Sequence, residues 1–328
     1  MKCDHKNDMK SALERGRPCG AVPIWELEFH AWDAASGRHV VLGEEMERLS
    51  PSAQERAMQA NAEIIVSVCR SLHFAAVTAP GAYWYAGPGD LAYYVLPGEL
   101  RFRQFEILKS LAGQDLMLIA GTGGVITADY GEDFCEALFF APEKVDLRAE
   151  ASLKWGVEQA RRYRDLGAEA VFTASDIADN SGPFFNPEQM RRFILPYAGR
   201  WAREVHAMGL YAILHSDGQL TACLDELADT GLDALQAIDP VAGMDMGQAR
   251  ERVGSRLCLC GNVDCGLLLR GTPDAVYAAT RTLLDGQKEV GAFVLGASNA
   301  VQKDVPMDNY RSMIEAWKMF GNYKKDKQ

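Results

Sequence analysis

Eight short apolar runs divide this chain, and helical patterns separate most of them. The runs cover residues 21–28, 74–80, 115–121, 170–176, 211–217, 233–239, 256–262 and 292–298. Most are continuous rather than alternating. A continuous apolar run marks a strand buried on both faces, the environment of a parallel sheet. Helices are predicted over 9–17, 51–72, 102–113, 131–140, 148–167, 187–208 with a break near Pro196, 219–229 and 306–320, and one more opens at Thr272-Pro273. The polar insertion 29–49 carries a hairpin signal at Ser36-Gly37. Eight strands, most followed by a helix, give the count and alternation of a (β/α)8 TIM barrel, an α/β fold. A doubly wound sheet is the alternative, but no G-x-G-x-x-G follows the first run. The chain has 328 residues. We read 1–328 as a single barrel domain with a helical lead-in over about residues 1–20.

In such a barrel the active site lies at the carboxyl ends of the strands. The fifth run ends in His215-Ser216-Asp217-Gly218. Residues two apart on a strand share a face, so His215 and Asp217 point the same way, and Gly218 lets the backbone turn. Taken alone, His215 could serve as a loop cap and Asp217 as a helix N-cap. The other strand ends change the balance. Glu26 and Glu28, Asp176, Asp239, Asn262 and Asn299 stand at equivalent positions. Acids in a buried strand need a partner or a ligand, and so many polar groups converging on one rim read as a site. The loop 81–89 brings Tyr83, Trp84 and Tyr85 among glycines, with Tyr93 and Tyr94 beyond. Those aromatics form either a lid or wall for a flat ligand or plain packing over the barrel mouth.

Composition removes several classes of function. A net charge of −11 argues against a nucleic-acid partner. No apolar run approaches the ~18 residues that would suggest a membrane span. The eight cysteines form no C-x-x-C pair and the amino terminus is polar. Reduced thiols in a cytoplasmic protein are the expectation. Cys258 and Cys260 share a strand face and read as small buried hydrophobes, with Cys260 a reserve metal ligand.

The segments His215-Ser216-Asp217-Gly218, Cys260-Gly261-Asn262-Val263-Asp264, Gly271-Thr272-Pro273 and Pro306-Met307-Asp308-Asn309 resemble the uroporphyrinogen decarboxylase superfamily, over about residues 23–323. The resemblance implies a (β/α)8 barrel and one of two activities, decarboxylation or corrinoid-dependent methyl transfer. True decarboxylases carry an arginine-rich segment after the first strand. Here Trp25-Glu26-Leu27-Glu28-Phe29-His30-Ala31-Trp32 is acidic and would repel a polycarboxylate. In the methyltransferase branch, members acting on coenzyme M hold zinc through an H-x-C pair and a later cysteine. His215 matches the histidine, while Asp217 and Asn299 stand where the cysteines would be.

The resemblance therefore implies a methyltransferase that moves a methyl group from a small methoxy or methylamine-type donor to a corrinoid carried by a partner protein. A zinc site would use His215 and Asp217, completed by Glu26 or Glu28. We assign catalysis to His215, Asp217, Asp176 and Glu26, metal binding to His215, Asp217 and Glu26, and substrate contact to Glu28, Tyr83, Trp84, Asn262 and Asn299. A homodimer is an assembly the chain admits. The rival readings are a uroporphyrinogen decarboxylase-like lyase, a metal-dependent hydrolase and a binding protein without catalysis. A hydrolase would use several histidines, but of six only His215 lies at a strand end.

Overall fold

The computed structural model describes residues 4–80, 96, 98–112 and 114–323. Seven parallel strands follow one another round a curled sheet. They are β1 (Ala76–Thr78), β2 (Met117–Gly121), β3 (Ala170–Ala174), β4 (Tyr211–His215), β5 (Ala234–Gln236), β6 (Cys258–Val263) and β7 (Phe293–Ala297). Each falls in one of the apolar runs, β6 extending one residue past its run to Val263. The first run supplies the eighth stave in reduced form. Ile24 bridges Phe74 on one side and Leu295 on the other, both in parallel. The Ala75 amide donates to the Ile24 carbonyl at 2.8 Å, and the Trp25 amide donates to the Leu295 carbonyl at 3.0 Å. Pro23 has no amide to donate, so the ladder cannot extend there, and the predicted strand shrinks to isolated bridges. The sheet thus closes into the (β/α)8 barrel.

The strand period of two sorts side chains between the barrel interior and the surrounding helices. Trp25, Leu27, Met117, Ile119, Ala170, Phe172, Ile213, Ala234, Cys258, Cys260 and Val294 form the inner cluster. Met9, Ala12 and Leu13 from the helix His5–Leu13 join it from below. That helix starts at Asp4, whose side chain accepts from the Asn7 amide, and it plugs the amino-terminal end of the barrel. Burying such apolar side chains stabilises by roughly 1.5–3 kcal/mol each, and the plug leaves the carboxyl end as the open one. Cys258 and Cys260 pack within this interior, beneath the site, as small hydrophobes. Burial pushes the Cys260 thiol well up, and among the described residues Cys260 joins no group of side chains placed to share a metal ion. Cys19 is disulfide-bonded, against the expectation of uniformly reduced thiols.

One reading needs correction and another gains a physical form. The hairpin expected at Ser36-Gly37 is the end of a short helix, Trp32–Ser36, terminated by Gly37 with φ of 69°. The break near Pro196 is a π-helical turn, Met190–Ile194, between Pro187–Gln189 and Leu195–Ala207. Proline lacks the amide that an α-helical bond at that point requires. Among the described residues no helix is long and apolar enough to cross a membrane.

Candidate active site

His215 ends β4 on the same face as Tyr211 and Ile213, and Asp217 follows two residues on. Asp176 stands two residues beyond the end of β3, in line with Phe172 and Ala174. Adjacent strands thus deliver three ligand-type side chains to one point. One donor atom from each of Asp176, His215 and Asp217 lies within 4.8 Å of the others. His215 Nε2 is 3.6 Å from Asp176 Oδ1 and 3.8 Å from Asp217 Oδ1. The Asp217 amide donates to Asp176 Oδ1 at 3.0 Å, tying the two loops together. Gly218, at φ of 92°, turns the chain directly afterwards. A side chain there would press on the Ala178 carbonyl carbon at 2.7 Å.

The tautomer of His215 follows from its neighbour. Gln236, buried on β5, donates through Nε2 to the carbonyls of Ala297 (3.3 Å) and Ser298 (3.2 Å). That fixes the amide, so its Oε1 must face His215 Nδ1, 2.5 Å away. An oxygen can only accept, so Nδ1 carries a proton, and in the neutral ring Nε2 keeps its lone pair, on the side of the two aspartates. This is how a histidine is prepared as a metal ligand or proton acceptor.

Asp217 is poised differently. Its Oδ2 accepts from Asn299 Nδ2 at 2.5 Å, whereas its Oδ1 is buried without any hydrogen-bond partner. The carboxyl stands pushed up to about 6: burial raises it, the charge of a protonated His215 lowers it, Asp176 and Asp239 raise it, and the Asn299 bond lowers it. A buried carboxylate oxygen with no donor costs free energy. A cation between Asp217 Oδ1, His215 Nε2 and Asp176 would remove that cost. One imidazole nitrogen and two carboxylate oxygens suit a divalent metal such as zinc.

The cluster faces a cavity of about 510 Å³ at the carboxyl end of the barrel. Leu27, Trp32, Trp155 and Phe172 supply apolar wall, and Glu28, His30, Thr122, Thr127 and Arg101 supply polar groups. Of the residues singled out in the sequence, Asp176, His215, Asp217, Asn299 and Glu28 meet here. Glu26 does not. The inner face of the first stave belongs to Trp25 and Leu27, so Glu26 points outward. It accepts from Tyr310 Oη at 2.7 Å and from the Ala297 amide at 2.9 Å. Burial pushes its carboxyl up to about 8. Glu26 therefore stands outside the metal group and the cavity, contrary to the expectation. Asn262 donates to the Ile238 carbonyl at 2.7 Å and is absent from the described cavity wall. Tyr83, Trp84 and the loop 81–89 lie outside the described residues.

Sequence reasoning missed Gln236, whose signal was a lone amide inside an apolar strand, Ala234-Leu235-Gln236-Ala237-Ile238. It also placed His30 away from the strand ends, yet His30 lines the cavity, 3.4 Å from Glu28. Trp155 and Arg101 come from helices, and nothing in a helical pattern says which residue reaches over the rim.

A parallel barrel with a histidine–carboxylate cluster at its carboxyl mouth defines an α/β enzyme scaffold. The uroporphyrinogen decarboxylase (URO-D) family model matches residues 103–320, and the chain belongs to that family of enzymes. It is 24% identical over 218 residues to the methylcobamide:CoM methyltransferase MtaA of Methanosarcina barkeri, covering 64% of this chain and 60% of that one. It is 29% identical over 160 residues to a uroporphyrinogen decarboxylase of Coxiella burnetii, covering 47% of this chain and 41% of the other. The chain thus spans about three fifths of the length of the first relative and about two fifths of the second. Among solved structures, a methyltransferase from Methanosarcina mazei shares the fold with a TM-score of 0.70 at 18% identity, over 97% of this chain and 99% of that one.

Proposed function

We propose that this protein is a methyltransferase that moves a methyl group from a small methoxy or methylamine-type donor to the corrinoid of a partner protein. The observation that carries the reading is the convergence of His215 Nε2, Asp176 and the partnerless Asp217 Oδ1 on one cavity wall. The similarity to MtaA, whose name states transfer between a methylcobamide and coenzyme M, supports the methyl-transfer half of it. In the reaction the bond between donor heteroatom and methyl carbon breaks. The heteroatom keeps the electron pair and takes up a proton, and the methyl carbon bonds to the reduced acceptor. An alkoxide is a poor leaving group, so its developing charge needs stabilising.

His215, Asp217 and Asp176 would hold the metal, with Asn299 fixing the Asp217 carboxylate and Gln236 the His215 ring. A zinc ion bound there would supply Lewis acidity to the leaving heteroatom. The apolar walls exclude water from the methyl carbon. The acceptor must approach the open end of the barrel, because the amino-terminal end is plugged by the helix His5–Leu13. The lyase reading is weaker, since the first stave offers Glu28 and His30 to the cavity and no arginine.

The test is anaerobic incubation with reduced free cobalamin and methoxy or methylamine donors, with and without added zinc. Formation of methylcobalamin, read from its absorption spectrum, is expected. Coproporphyrinogen produced from uroporphyrinogen, with no methylcobalamin, would overturn the reading in favour of the lyase.

A further inference from the structure

Glu26 stands outside the cavity, yet a short path of hydrogen bonds joins it to the site. Its Oε1 accepts from Tyr310 Oη at 2.7 Å, and its Oε2 accepts from the Ala297 amide at 2.9 Å. Tyr310 is fully buried on the helix Met307–Phe320, with the Phe29 and Phe74 rings 5.1 Å and 6.4 Å from its own. The carboxyl is thus fixed on one side and fixes Ala297 on the other. The carbonyl of the same Ala297 accepts from Gln236 Nε2 at 3.3 Å, and the Ser298 carbonyl accepts from it at 3.2 Å. Gln236 Oε1 meets His215 Nδ1 at 2.5 Å. Two residues after Ala297, Asn299 Nδ2 donates to Asp217 Oδ2 at 2.5 Å.

The three residues from Ala297 to Asn299 therefore orient two side chains of the cluster, His215 through Gln236 and Asp217 through Asn299. What holds those three residues differs along them. The Ser298 amide donates to the Val263 carbonyl at 2.8 Å, and the Asn299 amide donates to Cys265 Sγ at 3.2 Å. Ala297 faces the first stave instead. On that edge the Leu295 amide donates to the Pro23 carbonyl at 2.9 Å, and in a parallel ladder the next amide to need an acceptor is two residues on. That amide is Ala297, and it takes the Glu26 side chain. A buried amide stripped of its acceptor is costly, so without Glu26 the end of β7 would shift to find another. We propose that Glu26 is a positioning residue of the site: through Ala297 it holds the end of β7, and through that segment it sets the His215 ring and the Asp217 carboxylate. The consequence for a bound metal rests on the reading proposed above; the orientation of His215 does not.

Nitrogen-15 NMR of the full chain with labelled histidine reads the ring directly and needs neither metal nor turnover. The His215 signals are those lost in His215→Ala. The wild type should show His215 Nδ1 protonated, in a single environment. Glu26→Leu removes the acceptor and keeps the bulk, so it should add a second signal from an unprotonated Nδ1. Glu26→Gln keeps an oxygen for the Ala297 amide and an N–H for the Tyr310 oxygen, and should restore the single signal. Met9→Ala, which opens a cavity at the plugged end of the barrel, controls for lost stability and should keep it. Titration with cobalt(II), read from its visible absorption, should show affinity about 10-fold lower in Glu26→Leu than in the wild type or Glu26→Gln. The proposal is overturned if the wild type shows an unprotonated Nδ1, if Glu26→Leu keeps the single signal, or if Glu26→Gln or Met9→Ala loses it to the same extent. Should circular dichroism show Glu26→Leu to be unfolded, Tyr310→Phe, which leaves the carboxyl with one anchor, decides, and an unchanged His215 signal there overturns the proposal. A wild type that binds no cobalt(II), yet shows the fixed ring and its release in Glu26→Leu, refutes the metal and leaves the positioning role standing. Equal cobalt(II) affinity with equal His215 signals in wild type and Glu26→Leu refutes the positioning role and leaves the metal.

Discussion

At the scale of single residues, two side chains of one chemical type took opposite roles because of which way the backbone pointed them. Asp217 lies on the inward face and keeps an oxygen without a partner, while Glu26 points outward and both its oxygens are bonded. With its carboxyl pushed up to about 8, Glu26 binds its proton more tightly in the folded state than in the unfolded chain. Stability from this group is fully present below pH ~4.5 and is lost as pH rises through about 8. Glu26→Gln, which copies the protonated form, should flatten the fall in melting temperature between those limits. An unchanged slope would show that Glu26 does not carry the effect. Gln236 acts on the site through His215. Gln236→Leu should leave the barrel folded but weaken zinc binding by about 10–100-fold in a competition titration; equal affinity would mean that the tautomer lock is irrelevant.

The secondary-structure elements were the most legible part of the sequence. A continuous apolar run can be little else in a parallel barrel, so seven strands formed at the expected runs, and strand ends supplied Asp176, His215 and Asp217 together. The first run was harder to read. Nothing in the sequence said that Trp25 and Leu27, rather than Glu26, would turn inward. Residues reaching the cavity from helices, Arg101 and Trp155, were invisible for a related reason: helical periodicity marks the face toward the barrel, not the height at which a side chain clears the rim. Closure of the barrel depends on the same first stave. Gly296 on β7 lets the Trp25 carbonyl approach so closely that any Cβ there would collide with it. Gly296→Ala should therefore destabilise the protein by at least ~1–3 kcal/mol in urea unfolding, more than Gly286→Ala, where the space is open. Equal midpoints for the two variants would mean that the stave is not held as tightly as its bridges indicate.

For the molecule as a whole, the plugged amino-terminal end and the open, acid-rimmed carboxyl end set what it can bind. On the proposed methyl transfer, the mouth that receives the donor would also receive the acceptor, so substrate exchange and partner docking would compete for one face. The acidity of that mouth predicts no turnover of uroporphyrinogen, and its steady conversion to coproporphyrinogen by the purified chain would contradict the assignment of charge to the rim. The central claim is that His215, held by Gln236 and set between Asp176 and Asp217, is the centre of the chemistry. The most direct measurement compares wild type and His215→Ala in methyl transfer to reduced cobalamin, with circular dichroism confirming that both are folded. The account predicts a loss of about 10²–10³ in rate or more with the fold intact. A His215→Ala variant that transfers methyl at the wild-type rate would contradict it.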